Sequence, residues 1–414
     1  MRTLFVVVLL GFLHASVFSQ RTCSSFQYFE NELSNNPGLQ ARIDFLEEKI
    51  KRENSRLSLR PQGNEPIIII PVVVHILYNQ TLENISEERV YSQLKVLNET
   101  YRRLNADTIN TPKIFSGLAA DCRIEFRLAT SDPKRRATSG IVRKYTPVKI
   151  WSADDKMKYS AEAGDDAWDA TQYLNIWICN MGRVAGYSSF PGGPADKDGI
   201  VLSTNVVGIN TTTGYEMGKT AVHEVGHWLG LRHIWGDAFC GDDGVDDTPK
   251  QNTFTPGCPT GVRKSCSTNS GGDMYMNYMD LTLDACTNLF TEGQKQKMRA
   301  SFENGGGRAS LLKSSGLKPP LFSELILDAG FPKWSQPQLF PNPAFNDLTL
   351  DLSYDIRWIG KTIRISNLNG QVVVRQTITS NVMTIDINSL RPGLYFLDGK
   401  KEDGACIRHK FMKL

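Results

Sequence analysis

Two patterns of hydrophobic and polar positions divide this chain of 414 residues. Between Glu65 and about residue 312, apolar runs of strand length alternate with segments of helical spacing. The candidate strands are Ile67–Leu77, Arg123–Ala129, Ile141–Tyr145, Leu174–Cys179 and Ile200–Ser203. Pro71 interrupts the first run and cannot donate a sheet hydrogen bond, so we expect the buried strand to begin after it.

Two helices are predicted in the same part of the chain. Ser86 can cap the first helix, because its hydroxyl can accept a hydrogen bond from the first turn, and Asn105 closes the segment. A second helix is expected from Tyr215 to Leu229. The Asn180–Gly193 segment, rich in Gly and Ser, is the expected rim of a cleft, where a substrate peptide can add as an extra strand. The apolar positions of the first helix are Val90, Leu94, Leu97, Tyr101 and Leu104.

The pattern changes after residue 338. Short alternating segments, separated by turns at Asn369-Gly370 and Pro392-Gly393, predict an antiparallel β-sandwich over 339–414. A linker is expected over 313–338, where Lys318-Pro-Pro interrupts the pattern. The sequence therefore predicts an α+β fold, with a twisted mixed sheet and helices over 65–312, followed by a small β-sandwich.

The first residues have the pattern of a signal peptide over 1–19. Arg2 supplies a positive charge, Leu4–Leu13 form an apolar run, and we expect cleavage between Ser19 and Gln20. The run is short for a membrane span, and no second one follows. Residues 20–64 are polar and charged, with basic positions near the end, and are interpreted as a removable pro-segment.

Composition limits the possible functions and suggests an oxidising compartment. The formal charge is only +3 and no basic block is present, which argues against nucleic-acid binding. Eight cysteines in an exported protein fit disulfides. Four of them bracket one loop and allow three pairings, between which spacing cannot choose: Cys240, Cys258, Cys266 and Cys286. Cys122 and Cys179 lie in strand-like runs, where we favour buried thiols over a bridge.

Residues 223–233 carry the candidate chemistry. On a helix, His223 and His227 project from the same face, so both imidazoles can reach one metal ion. Gly230 allows the helix to end in a left-handed turn, after which His233 can supply a third ligand. Three imidazoles with one open position describe a catalytic zinc site, and Glu224 can act as general base on a water held there.

The alternative is an ordinary amphipathic helix with histidines on its polar side. Three of the six histidines of the chain fall within these eleven residues, which favours the metal site. A second open question is the loop 241–248, which contains Asp242, Asp243, Asp246 and Asp247. Such closely spaced carboxylates suit Ca²⁺, although a solvated acidic loop has the same composition.

The spacing of the histidines resembles the zinc signature of metzincin peptidases, and Met279 lies where that clan places a methionine beneath the metal. Within that clan the chain resembles the pappalysin family, and this resemblance covers roughly residues 65–310. The segments that carry it are His223–His233, Cys240–Pro249, Asn277–Asp280, Asp284–Cys286 and Phe290–Gln294. The resemblance implies a metzincin-like catalytic domain in a secreted zinc endopeptidase. Leu281 departs from the pattern, because many metzincins have a tyrosine there.

The same resemblance implies roles for further residues. It favours disulfides Cys240–Cys266 and Cys258–Cys286, and structural calcium at Asp243 and Asp247. It also supports Cys23 as a pro-segment thiolate that occupies the open position of the zinc and keeps the enzyme latent. An unpaired or disulfide-bonded Cys23 is the alternative.

The C-terminal segment resembles the sorting domain of the type IX secretion route of Bacteroidetes. Phe340-Pro-Asn-Pro, Asn367–Val372, Pro392–Phe396 and Lys410–Leu414 carry this resemblance. It implies that the secretion machinery is a partner and that the protein is extracellular or attached to the cell surface. A carbohydrate- or protein-binding module is the alternative.

The function expected from the sequence is hydrolysis of peptide bonds in proteins and peptides by a zinc endopeptidase made as a latent precursor. A surface adhesin with a structural metal is the main alternative. A zinc hydrolase of small molecules is a third possibility, which an open cleft disfavours.

Overall fold

The computed structural model describes residues 23–57, 65–210, 214–267, 271–320, 337–352, 358–380, 382–401 and 406–414. The predicted signal peptide and its cleavage point lie outside the described residues, as does most of the predicted linker. Within the described ranges, no helix is both long enough and apolar enough to cross a membrane.

Two helices, which were not predicted from the sequence, occupy the segment interpreted as a pro-segment. They are α1 (Ser25–Asn35) and α2 (Leu39–Leu57). Their apolar positions Tyr28, Leu39 and Ile43 are buried, so this polar segment is folded onto the rest of the chain.

A six-stranded mixed sheet forms the centre of the catalytic unit expected from the sequence. Its strands are β1 (Ile68–Tyr78), β2 (Ile124–Leu128), β3 (Ile141–Tyr145), β4 (Leu174–Cys179), β5 (Gly186–Ser188) and β6 (Ile200–Ser203). The order is β2-β1-β4-β6-β5, and β3 also pairs with β1. All pairs are parallel except that of β5 with β6, so β5 is an antiparallel terminal strand.

The expectation for Pro71 is wrong, since β1 begins at Ile68 and continues through the proline. Val72 directs its carbonyl toward β2, where it accepts a hydrogen bond from Ala129 N. The backbone groups of Pro71 therefore face the other side, where pairing with β4 starts only at Val72. A proline is tolerated there because no neighbouring strand needs its missing N–H.

Four further helices complete this part of the structure. They are α3 (Glu87–Tyr101), α4 (Lys113–Ser116), α5 (Lys219–Trp228) and α6 (Glu292–Ala300). The predicted cap is confirmed, because the Ser86 hydroxyl accepts a hydrogen bond from Arg89 N. Helix α3 ends before the predicted Asn105. Helix α5 begins later than predicted, since Gly218 just before it has a φ of +70° and is not helical.

The C-terminal strands form two antiparallel sheets around their own core, which confirms the predicted β-sandwich. The strands are β7 (Gln338–Phe340), β8 (Asp347–Asp351), β9 (Thr362–Asn367), β10 (Val372–Thr377), β11 (Val382–Asp386), β12 (Gly393–Lys400) and β13 (Cys406–Lys413). The sheet orders are β10-β9-β12-β13 and β11-β8-β7. Leu348, Trp358, Ile365, Leu397 and Phe411 are among the core residues.

Candidate metal centre

Three imidazoles converge at the end of α5. His223 and His227 lie one turn apart on the helix, and Gly230, with a φ of +93°, turns the chain so that His233 returns to them. The Nε2 atoms of His223 and His233 lie 3.1 and 3.3 Å from Nε2 of His227. All three rings are buried. The structure thus brings together the three histidines that the sequence nominated.

The opposite nitrogen of each ring is held by an oxygen acceptor. The Nδ1 groups of His223, His227 and His233 donate to Tyr278 O, Leu231 O and Asp237 Oδ1, respectively. These hydrogen bonds fix the rings with the lone pair of Nε2 directed to the common centre. Burial, together with the neighbouring His233, lowers the pKa of His227 well below its usual value. A neutral imidazole is the form that binds a metal ion.

The distances fit a tetrahedral zinc site. Zn–N bonds of about 2.05 Å at the tetrahedral angle place two ligand nitrogens about 3.3 Å apart, close to the spacing in this cluster. Cys23 Sγ lies 3.6 Å from His227 Nε2. A thiolate at the usual Zn–S distance should be about 3.6 Å from such a nitrogen. Cys23, His223, His227 and His233 are the one group of potential metal ligands of this kind within the described ranges.

Met279 lies directly against the helix that carries two of these histidines. A Cβ added to Gly226 would lie only 2.5 Å from Met279 Sδ, so glycine is needed for the sulfur to approach the helix. Asn277 Oδ1 accepts a hydrogen bond of 2.9 Å from Met279 N and fixes the turn. Leu281 is buried, and its side chain supplies no hydroxyl to the site.

Glu224 lies beside the cluster, buried between α5 and the terminal strand β5. A Cβ added to Gly186 would lie 3.2 Å from Glu224 Cγ, so β5 passes close to the carboxylate. The Ser25 hydroxyl donates a hydrogen bond of 2.7 Å to Glu224 Oε2. The same Ser25 oxygen accepts a hydrogen bond of 2.9 Å from Ser188 N.

The N-terminal segment runs along β5 through this site. Cys23 and Gly186 form a parallel β-bridge, and Ser24 N donates a hydrogen bond of 3.1 Å to Gly186 O. Phe29 packs on Phe190 beyond the strand, with ring centroids 4.6 Å apart. The rim that the sequence predicted for substrate is therefore covered by residues 23–29.

Comparison with known proteins identifies the family. The peptidase M43 family model, described as pregnancy-associated plasma protein-A, matches residues 158–303. An extracellular metalloprotease of Pyricularia oryzae is 31% identical over 250 residues, which are 58% of this chain and 77% of the relative. The chain belongs to the M43, or pappalysin, family of metallopeptidases.

Solved structures of other family members agree with this result. Mature mirolysin of Tannerella forsythia, in complex with a cleaved peptide, is similar with a TM-score of 0.59 and 45% identity, covering 60% of this chain and 96% of mirolysin. A promirolysin mutant has a TM-score of 0.65 and 42% identity, covering 71% of this chain and 97% of that protein. The predicted α+β fold of the metzincin type is confirmed.

A second family model, described as a secretion system C-terminal sorting domain, matches residues 338–413. A relative from Arthroderma gypseum named extracellular metalloprotease is 29% identical over 309 residues, 71% of this chain and 88% of the relative. This pappalysin is therefore a metalloendopeptidase of the secreted or cell-surface class.

The loop after the third histidine is closed by two disulfides in the pairing that the resemblance implied. Cys240–Cys266 and Cys258–Cys286 have Cα atoms 6.0 and 5.7 Å apart. Cys122 and Cys179 are buried thiols, as favoured from their strand-like surroundings.

The two aspartates predicted to bind calcium lie in different environments. Asp243 is buried, and its Oδ1 accepts hydrogen bonds from Val245 N and the Thr248 hydroxyl. Burial raises the pKa of Asp243 to about 6. Asp247 instead contacts the start of α6, where its oxygens accept from the Thr291 hydroxyl and Gly293 N.

Three residues of the site were missed from the sequence. Asp237 follows His233 by four positions in a turn, so its carboxylate was a recognisable partner for that ring. Gly226 separates the ligand positions, but its contact with Met279 depends on a distant loop. The role of Ser25 could not be predicted from the residues around it in the sequence, because its partner Glu224 is 199 positions away.

Proposed function

We propose that this pappalysin is a zinc-dependent endopeptidase that is made as a latent precursor and activated by removal of residues 20–64. The observation that carries the proposal is the set of three oriented Nε2 atoms beside the buried carboxylate of Glu224. His223, His227 and His233 would hold the ion, and Met279 would support it from below.

Peptide hydrolysis follows from this arrangement. A zinc ion held by the three imidazoles would supply Lewis-acid chemistry, lowering the pKa of a water molecule toward neutrality and polarising the carbonyl of a peptide. Glu224 would accept the proton of the attacking water and then deliver it to the leaving amine. Strand β5 would hold the substrate backbone in an extended form by adding it to the sheet edge.

Latency would depend on two residues of the N-terminal segment. Cys23 is positioned to fill the fourth ligand site with its sulfur, which supports the thiolate interpretation over an unpaired or disulfide-bonded cysteine. Ser25 donates a hydrogen bond to Glu224 Oε2, an oxygen that would otherwise be able to accept from the attacking water. The two contacts would block the metal and the general base separately.

A structural calcium ion at Asp243 and Asp247 remains part of the proposal. Asp243 Oδ2 is a buried oxygen for which the described residues provide no hydrogen-bond partner, and a cation would satisfy it. The contacts of Asp247 with α6 support a purely structural role equally well, so Asp243 is the stronger candidate.

We propose the domain division that the sequence predicted. Residues 1–19 would direct export, and 65–312 would form the catalytic unit after removal of 20–64. Residues 339–414, after the linker at 313–338, would address the protein to the secretion machinery. Proteins and peptides would be the substrates of the processed enzyme.

Digestion of casein by the processed, purified protein tests this function. We expect digestion to stop after zinc chelation and to return when zinc is added, with about one zinc ion per chain by elemental analysis. The alternative, an adhesin with a structural metal, predicts a zinc-containing protein that does not digest casein under any of these conditions. Absence of zinc from active protein would contradict the proposed site.

A further inference from the structure

A side chain of the N-terminal segment fills a pocket that belongs entirely to the catalytic unit. We propose that this pocket, occupied here by Tyr28, is a substrate subsite that selects a tyrosine side chain once residues 20–64 are removed. The inference rests on the proposed peptidase function and adds a specificity determinant to it. The tyrosine pocket is defined by Asp155, Lys158, Trp177, Tyr187 and Lys197.

The pocket contacts both the hydroxyl group and the ring of Tyr28. The Tyr28 hydroxyl donates a hydrogen bond of 2.8 Å to Asp155 Oδ2, and its ring lies 4.9 Å from the ring of Tyr187. The ammonium of Lys158 lies 5.3 Å above the Tyr28 ring, where it can make a cation–π contact. A phenylalanine would keep the ring contacts but lose the hydrogen bond.

Asp155 is held as an acceptor by the catalytic unit itself. Its Oδ1 accepts a hydrogen bond of 2.9 Å from the Tyr187 hydroxyl and lies 2.8 Å from Lys158 Nζ. Lys197 Nζ lies 3.3 Å from Oδ2, the oxygen that Tyr28 uses. Burial opposes ionisation of Asp155, but Lys158, together with the hydrogen bond from Tyr28 and the charge of Lys197, holds the pKa of the carboxyl below its usual value.

The backbone around Asp155 also has a specialised conformation. Asp155 has a φ of +65°, which is uncommon outside glycine, and only 4% of the residue is exposed. Such conformations are retained where the surrounding structure fixes them, often in ligand sites. Because none of these groups comes from residues 23–57, the pocket remains when the N-terminal segment leaves.

The position of the pocket relative to the cleft follows from strand β5, in which successive residues face opposite sides of the sheet. Gly186 faces Glu224, and the next residue, Tyr187, points to the other face of the sheet, where it packs with Trp177. A substrate strand added to β5 would place one side chain opposite Tyr187, on the same face and about 5 Å from it. That side chain would enter the tyrosine pocket.

The distance from the reaction centre is short. Tyr28 follows Ser25, the partner of Glu224, by one helical turn, which advances the chain by about 5 Å. The selected substrate residue should therefore lie within three positions of the cleaved bond. The substrate residue opposite Gly186 would lie nearer the metal. The next substrate residue, opposite Tyr187, would be the tyrosine whose side chain enters the pocket.

A tyrosine scan of a cleaved peptide tests the inference with the processed enzyme. Tyr, Phe or Ala is placed in turn at each of the three positions on either side of the cleaved bond, and kcat/KM is measured. We expect one position at which Tyr exceeds Phe about fivefold, as one hydrogen bond provides, and exceeds Ala by more. Equal rates for Tyr and Phe at all six positions, in peptides that are cleaved, would overturn the subsite and leave the peptidase function intact.

A binding measurement gives a result that does not depend on catalysis. A fluorescent peptide of residues 24–36, which lacks Cys23, is titrated with the processed protein and followed by anisotropy. The peptide with Tyr28→Phe should bind about fivefold more weakly, and equal affinities would contradict the pocket. If the two peptides differ in affinity as expected but the protein cleaves no peptide, the proposed peptidase function would be contradicted and the pocket would stand.

Enzyme variants assign the effect to Asp155. In Asp155→Asn, the ratio of kcat/KM for Tyr over Phe should fall toward one, because the charged acceptor is lost. Tyr159→Phe is the matched control, since Tyr159 bonds the exposed Asp196 outside the pocket and should leave the ratio unchanged. If Asp155→Asn does not fold, the peptide scan on the native enzyme still decides the matter.

Discussion

The Ser25 hydroxyl donates a hydrogen bond of 2.7 Å to Oε2 of Glu224, across 199 positions of sequence. Two residues earlier, Cys23 Sγ approaches His227 Nε2 at 3.6 Å. The N-terminal segment thus contacts the proposed metal position and the proposed general base through neighbouring side chains. Because each contact involves a different catalytic element, their contributions to latency can be separated by mutation.

Removing these contacts from the full-length precursor should accelerate activation. Ser25→Ala should raise the rate of precursor autolysis about fivefold, as expected for one hydrogen bond to a carboxylate. Cys23→Ala should raise it at least tenfold, because a metal ligand is lost. Ser34→Ala is the control, since its hydroxyl bonds only the backbone of its own helix in solvent. The rate is followed by gel electrophoresis, and an unchanged Ser25→Ala rate would show that the contact has no role in latency.

Glu224→Gln should retain zinc and lose activity. The amide keeps the shape of the side chain but cannot accept a proton, which should lower kcat about 10²- to 10⁴-fold. Zinc content should remain at the native level, since Glu224 is not among the proposed ligands. Glu99→Gln on α3 is the matched control, since the Glu99 side chain is 42% exposed. Near-native hydrolysis of peptides by Glu224→Gln would eliminate the proposed mechanism.

Gly226→Ala should disturb the centre through Met279. The new methyl group would lie 2.5 Å from Met279 Sδ, which requires displacement of either the helix or the methionine turn. Overpacking of this kind costs about 1–3 kcal/mol, and we expect lower stability and weaker zinc retention.

Two further variants check this explanation. Gly117→Ala is the matched control, because nothing lies within 4 Å of the added Cβ. The double variant Gly226→Ala, Met279→Ala should recover part of the lost stability by removing the clash. Thermal unfolding measures both effects, and a Gly226→Ala protein as stable as the control would refute the steric argument.

Each disulfide should stabilise the loop between the third histidine and the methionine turn. The linked cysteines are 26 and 28 residues apart, and closing loops of this length contributes about 3 kcal/mol. Two double variants should therefore unfold at lower temperature. One combines Cys240→Ser with Cys266→Ser, and the other combines Cys258→Ser with Cys286→Ser. Thermal unfolding measures Tm, and a thiol reductant should lower the Tm of the native protein but change that of a four-serine variant much less.

Calcium should stabilise the protein through Asp243. Wild type should show a higher Tm when calcium is added, because a ligand bound only to the folded state stabilises it. The increase should disappear in Asp243→Asn, which replaces the buried oxygen that has no hydrogen-bond partner among the described residues. Asp242→Asn is the matched control, since the side chain of Asp242 is 69% exposed. A calcium effect that persists in Asp243→Asn would place the ion elsewhere.

Local patterns predicted much of the fold and of the metal centre. The bounds of β3, β4 and β6 match the predicted runs residue for residue. Strands β4 and β6 are fully buried, and buried parallel strands are continuous apolar segments between turns. The position of Pro71 inside β1 was not predictable, since it depends on which neighbour the strand has at that point.

The sequence by itself determined the three histidines, the adjacent glutamate and the glycine turn, because one helical turn followed by a left-handed glycine brings them together within eleven residues. Only the tertiary structure decided that Ser25 contacts Glu224, that Met279 requires Gly226, and that Tyr28 enters the pocket at Asp155. Tyr28 and Asp155 are 127 positions apart. Such contacts depend on how complete elements pack around the sheet, which local periodicity does not specify.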